Sequence, residues 1–311
     1  MPPSLGWVVQ PAMFVNPSGF NSSGWDLARC ILEADERHIP LALAAGFDTI
    51  WVEDHMGWGE KSHLECMTTL AWLAGRHRGP RWGTMVCGQA FRNPAYLAKL
   101  AVNLQLLTGG RFILGIGAGN NGGEHEEFGF PFPAARQRLD QMEEAIRIVR
   151  ALWLGGRQTF EGRHYQIRNA VIAPRPEPKI PLMIGGGGER RTLRLVADLA
   201  EWWCADVVSV EAFERKSAVL DDHCRTVGRD PATIVRSQVI WISVADDPSD
   251  VVRWPDLHIV AGSPDEVTAE LISFRRAGTD HFQIRFMDFP STEGMERFVE
   301  GVLPQLRAQW D

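Results

Sequence analysis

The chain has 311 residues, 45% of them apolar, with 32 Lys and Arg against 39 Asp and Glu, for a net charge of −7. That apolar share is ample for a packed core, and the acidic balance argues against a general nucleic-acid surface, which needs clustered positive charge. An odd count of five cysteines, with no closely spaced pair, argues against a disulfide framework or a four-cysteine zinc site. The first residues, MPPSLGWVVQP, have neither a basic start nor a long apolar stretch. No run of 18 apolar residues occurs anywhere, so neither a signal peptide nor a membrane span is expected. The expectation at this level is a cytoplasmic protein with no nucleic-acid or membrane partner.

The predicted elements alternate along the chain. A strand at Trp7–Gln10 leads to a first helix in which Pro40 predicts a kink or a late start. Strands at Thr49–Glu53 and Arg81–Cys87 follow, then a helix over Ala95–Leu107 and a strand at Arg111–Gly115. A helix over Arg136–Trp153 places Leu139, Met142, Ile146, Val149 and Trp153 on one face. Strand Leu182–Ile184 precedes helix Arg190–Ala200, and strand Trp202–Ala205 precedes helix Val210–Val227. Strand Ile234–Val244, helix Asp265–Ala277 and strand His281–Phe286 complete the series. Ser263 ahead of Pro264 and Asp265-Glu266 reads as a helix start.

Several of these strands are apolar on both faces, as parallel strands covered on both sides are. Eight strands with helices between them predict one (β/α)8 barrel domain over residues 1–311, with an open doubly wound sheet as the alternative. Insertions are expected near 120–135, 158–178 and 245–263. The second of these contains a hairpin-like FEGRHY and the Pro-rich APRPEPKIP.

Four stretches could carry chemistry. Asp54-His55 follows the apolar DTIWVE, and in a barrel the strand C-terminal ends face the site. A histidine there can act as a general acid or base, although a loop-capping pair would look the same. GIGAGNNGG (115–123) formally contains a dinucleotide fingerprint, but it sits late in the chain and EHEEFGFPFP does not read as a helix. A glycine-rich strand end approached closely by a planar ring is the better reading, with a plain loop as the alternative.

Gly185, Gly186, Gly187 and Gly188 run into a helix and predict a backbone N–H cradle for a phosphate, with Glu189-Arg190-Arg191 adding guanidinium donors. Arg92-Asn93-Pro94 opens a helix, and Arg111 is expected in a structural ion pair. Glu124, His125, Glu126 and Glu127 read as a solvated acidic loop rather than metal ligands. Asp222-His223-Cys224 cannot act as a catalytic set, because neighbouring side chains on a helix diverge.

Taken in order, GFDTIWVEDH (46–55), the RNP-to-GIGAG block (92–119), EEFGFPFP (126–133), GGGGERRTLRLVAD (185–198) and HCRTVGRDP (223–231) resemble the luciferase-like monooxygenase superfamily. More closely they are similar to its actinobacterial branch that uses the deazaflavin coenzyme F420. The resemblance implies a (β/α)8 barrel with the cofactor ring at its C-terminal face and a cis peptide at Met85–Val86 in GTMV (83–86). It implies a cofactor site at Met85, Val86, Gly117, Ala118, Gly119, Asn120 and the 185–188 loop with Glu189 and Arg190. It also implies proton transfer by His55, with Asp54 orienting the site, and a homodimer. Sugar-phosphate dehydrogenases of this branch carry a glutamate after the glycine of the fourth strand. Asn120 stands there instead. The alternative within the superfamily is an FMN-dependent monooxygenase with a separate reductase. The substrate pocket is expected to draw on Trp7, Met13, Phe14, Trp58 and the 120–135 insertion.

Overall fold

The computed structural model describes residues 3–9, 24–57, 63–206, 209–254 and 257–310. Strand and helix alternate from the start. β1 (Ser4–Val8), α1 (Gly24–Ala44), β2 (Thr49–Val52), α2 (Cys66–Arg76) and β3 (Arg81–Thr84) form the first units. The short β4 (Cys87–Gly88), α3 (Pro94–Leu107), β5 (Phe112–Gly117), α4 (Gly122–Glu127) and α5 (Ala135–Trp153) follow. A two-stranded hairpin, β6 (Gln158–Glu161) and β7 (Gln166–Ala170), precedes β8 (Leu182–Gly185), α6 (Thr192–Leu199), β9 (Trp202–Ala205) and α7 (Val210–Thr226). The chain ends with β10 (Val235–Val244), β11 (Ile259–Gly262), α8 (Pro264–Arg276), β12 (His281–Phe286), α9 (Glu293–Arg297) and α10 (Leu303–Trp310).

Eight strands pair in parallel in the order β12-β1-β2-β3-β5-β8-β9-β10, and β10 returns to β12. This closure is the expected barrel and excludes the open sheet. β10 is long enough to pair with β9 through Val235–Gln238 and, further along the same edge, with β11 through Trp241–Val244.

Two apolar layers hold the barrel. Between strands and helices lie alternate residues such as Trp7, Ile50, Leu114, Ile184, Trp203, Phe282, Ile284 and Phe286, with the inner faces of the helices. Inside the barrel are Val8, Trp51, Met85, Ile113, Met183, Trp202, Cys204 and Val239. Trp51 lies across the interior. A β-carbon on Gly6 or Gly83 of the flanking strands would overlap its indole, so glycine at those registers makes room for it. Full burial of each large apolar side chain stabilises by about 1.5–3 kcal/mol relative to exposure.

At the N-terminal end of the strands, Trp51 Nε1 donates to His281 Nε2 (2.9 Å). The other ring nitrogen of His281 lies 2.6 Å from Ser4 Oγ.

The helix faces and caps follow the sequence. Met142, Ile146, Val149 and Trp153 of α5 are buried. Ser263 and Glu266 form a reciprocal capping box at the start of α8. Several expectations fail. α1 runs without interruption from Gly24, so there is no late start; Pro40 lies one turn from its end. The strand expected over Arg81–Cys87 is interrupted after Thr84, although the cis Met85–Val86 peptide that the resemblance implied is present there, and Cys87–Gly88 resumes pairing with β5. Among the described residues, Arg111 donates to the Pro80 carbonyl (3.2 Å) rather than to a carboxylate. GGEHEE (122–127) does form a helix, α4, capped by the Asn121 side chain. Helices α2, α9 and α10 and strand β11 were not anticipated. No helix among the described residues is long and apolar enough to cross a membrane.

Candidate active site

The C-terminal ends of β2, β3, β5 and β8 are neighbours in the sheet, so residues scattered over 130 positions of sequence fall on one arc of the barrel mouth. Taken round this arc, they supply an imidazole, a bulge, a glycine floor and a cradle.

Asp54 and His55 leave β2 and part company. Both Asp54 oxygens are taken up by the Arg92 fork (2.6 and 2.8 Å), and Oδ2 also accepts from the Gly88 backbone N–H (2.9 Å). Burial disfavours the Arg92 cation, but the hydrogen bonds and charge of Asp54, with the Glu65 hydrogen bond, together outweigh it and raise its pKa. Arg92 also reaches Glu65 (2.5 Å), whose carboxylate caps α2. Asp54 therefore ties the end of β2 to β4 and to Arg92 ahead of α3, rather than contacting the adjacent imidazole. The RNP motif thus has a specific task that its sequence alone did not reveal.

His55 has a different carboxylate. Its Nδ1 lies 3.0 Å from Oε2 of Glu124, which is 3% exposed on α4. Oε1 of Glu124 accepts from the backbone N–H groups of Met56 and Gly57. The expectation of a solvated acidic loop is therefore wrong for Glu124: burial against the strand-two loop draws it in, while Glu126 and Glu127 stay exposed. His125 beside it is also buried, packed between Phe91 and Phe132 (centroids 4.9 and 4.7 Å).

The bulge residues Met85 and Val86 sit beside the glycine floor. β-carbons on Gly117 and Gly185 would approach Val86 Cγ2 at 2.7 and 2.9 Å. These glycines leave space for Val86, in addition to the ring approach expected at Gly117 and the phosphate cradle expected from Gly185. Gly119 turns the chain out of β5 at φ +80°, followed by the exposed Asn120.

Gly185–Gly188 leave β8 as expected. Gly186 has φ +109°, which favours glycine. Lys216 Nζ donates to the Gly187 carbonyl (2.6 Å), and no side chain caps α6, whose first turn faces this loop. A cavity of about 540 Å³ here is lined by Gly187, Gly188, Arg136, Arg190, Thr192 and Lys216, among others. Arg190 is exposed, while Arg191 is committed to Asp140 (2.5 Å) and Glu189 pairs with Arg215 (3.3 Å). Of the two arginines, only Arg190 is left to face an anion. His223 is bonded to the Glu189 carbonyl (2.8 Å), Asp222 pairs with Arg225 and Cys224 is buried, so these three side chains diverge as predicted.

Three polar residues at the mouth escaped the sequence reading. Arg285 is fully buried, pairs with Glu53 (2.5 Å) and stacks over Trp241 (4.7 Å). Glu53 Oε2 is buried with no hydrogen-bond partner among the described residues. His63 sits with its ring 5.4 Å from that of His55, and burial lowers its pKa despite the nearby Glu53. The signal for Arg285 lay in HFQIRF, where every second residue is polar and so faces the interior. Of the expected pocket residues, Trp7 faces the helix layer, stacked on His38 (5.1 Å), and does not line the mouth. Met13, Phe14 and Trp58 lie outside the described residues.

The sequence profile of the luciferase-like monooxygenase family matches residues 36–259. The chain is 29% identical over 309 residues to an F420-dependent glucose-6-phosphate dehydrogenase of Amycolatopsis mediterranei, covering 85% of this chain and 91% of that one. A protein of the same description from Kineococcus radiotolerans is 27% identical over 305 residues, covering 84% and 89%. Among solved structures, an F420-dependent secondary alcohol dehydrogenase in complex with an F420–acetone adduct superposes with a TM-score of 0.82 at 20% identity, covering 99% of this chain and all of that one. An EDTA monooxygenase from Chelativorans sp. BNC1 superposes with a TM-score of 0.84 at 17% identity, covering 99% and 94%. At such identities these two share the fold.

Proposed function

The chain belongs to the luciferase-like monooxygenase family, and we propose that within it the protein passes hydride between coenzyme F420 and a small organic substrate, with His55 handling the accompanying proton. The observation that carries this reading is the arc itself: the imidazole–carboxylate pair His55–Glu124, the Met85–Val86 bulge, the glycine floor and the 185–188 cradle occupy adjacent strand ends. The nature of the relatives over most of the chain supports it.

The residues present fit the cofactor. The loop 185–188 with Arg190 and the uncapped start of α6 would hold its phosphate. Met85, Val86, Gly117, Ala118, Gly119 and Asn120 would flank its ring. When bound, the deazaflavin supplies a hydride acceptor or donor at ring carbon C5. In the oxidising direction, as the substrate C–H bond breaks and its electron pair leaves as hydride, His55 takes the hydroxyl proton and a carbonyl forms. In the reverse direction His55 returns that proton. Asp54 and Arg92 fix the strand end from which His55 projects. The glucose 6-phosphate of the relatives is not carried over, because Asn120 stands where the resemblance implies a glutamate. A homodimer belongs to the same proposal.

The test is turnover of coenzyme F420 with a panel of secondary alcohols, imines and enones, comparing the parent with His55→Ala. Loss of about 10²–10⁴ in rate with cofactor binding retained is expected for a general acid–base. Undiminished turnover in His55→Ala would remove the role.

A further inference from the structure

We propose that Glu124 is the positioning residue of this site, holding the His55 imidazole in the tautomer that carries its proton on Nδ1 and thereby making Nε2 the nitrogen that exchanges a proton with substrate. The inference rests on the reading of His55 as the proton-handling group.

Glu124 lies on a helix inside what the sequence presents as an insertion, four residues beyond the Asn120 position, yet it is almost completely buried. A carboxylate offers only acceptor lone pairs. With Oε2 3.0 Å from Nδ1, the contact is satisfied only when Nδ1 carries the hydrogen. The carboxylate is itself fixed. Its second oxygen accepts from two successive backbone N–H groups, those of Met56 and Gly57, immediately after His55. The backbone N–H of Glu124 donates to the Asn121 side chain (3.3 Å), which anchors the helix from which it projects.

The adjacent Asp54 does not fill this role, because its carboxylate lies against Arg92 and the Gly88 backbone rather than the imidazole. A proton arriving at Nε2 creates an imidazolium whose opposite edge already faces a buried carboxylate. That arrangement favours the charge as it develops, as a second acidic group behind a catalytic imidazole does elsewhere. α4 thereby becomes part of the reaction machinery rather than a surface insertion.

The experiment uses the full chain with 15N-labelled histidine and Glu124→Gln. Gln preserves length and an acceptor for Met56 and Gly57, but turns N–H donors toward Nδ1. In the parent protein without cofactor, the His55 signals, identified by their loss in His55→Gln, are expected to show Nδ1 protonated and Nε2 bare. In Glu124→Gln the pattern reverses, and kcat falls by about 10²–10⁴ with KM little changed, the effect expected of a wrongly set tautomer. Glu127→Gln, on the exposed side of the same helix, retains the parent pattern and rate. A parent imidazole protonated on Nε2, or a Glu124→Gln variant with parental kcat, overturns the proposal. If Glu124→Gln does not fold, the tautomer of the parent decides alone. Because that measurement needs no cofactor, its outcome is independent of whether coenzyme F420 is the right ligand.

Discussion

Acid should weaken this fold through one histidine far from the reacting centre. His281 is fully buried inside the barrel, where burial, despite nearby Asp48, lowers its pKa to about 3. The hydrogen bonds point the same way. Trp51 Nε1 can only donate, so His281 Nε2 must hold a bare lone pair, and protonation there would set two N–H groups against each other. The unfolded chain binds this proton near pH 6.5 and the folded one does not, so the unfolded state gains stability as pH falls from about 6.5 to about 3.

With those two values the loss is about 0.2 kcal/mol at pH 7 and about 2 kcal/mol at pH 5. The assay is urea denaturation at both pH values for the parent and for His281→Gln, whose amide oxygen can still accept from Trp51. Other titrating groups cancel between the two proteins. The parent should lose about 2 kcal/mol more than the variant between pH 7 and pH 5. Equal losses in the two proteins would refute the reasoning.

Two further substitutions probe the mouth. Arg92→Met leaves Asp54, with a 2% exposed side chain, paired only to Gly88 N–H; a loss of about 3–5 kcal/mol in urea unfolding is expected for a broken buried pair, and a loss below 1 kcal/mol would contradict it. Gly117→Ala places a methyl 2.7 Å from Val86 Cγ2 and should cost about 1–3 kcal/mol. Adding Val86→Ala should recover much of that, so strictly additive losses in the double variant would show that Val86 is not the obstacle.

The barrel was legible because its strands are short apolar runs spaced by helical patterns, and because strand ends such as Asp54-His55 and Gly185–Gly188 bear unusual residues. The features that stayed hidden depend on which residues meet across the fold. Glu124 looks like one of several acidic loop residues until α4 turns it inward. The Arg92 fork and its Asp54 partner are 38 residues apart, and nothing local marks either as half of a pair. Gly117 and Gly185 advertise close approach, but the approaching group inside the barrel is Val86, whose position follows from the break after Thr84. Trp7 stands near a strand end, where a pocket residue is expected, yet the alternation of β1 turns it toward the helices. The helices α9 and α10, after the last strand, carry no motif that sets them apart from a tail.

The cofactor assignment is tested most directly by titrating the protein with coenzyme F420 and, separately, with FMN, following quenching of cofactor fluorescence. Saturable quenching of the deazaflavin, weakened when Arg190 at the phosphate cradle is replaced by Ala, is the expected result. Tight binding of FMN with no binding of the deazaflavin would contradict it and turn the same arc of residues toward oxygen chemistry.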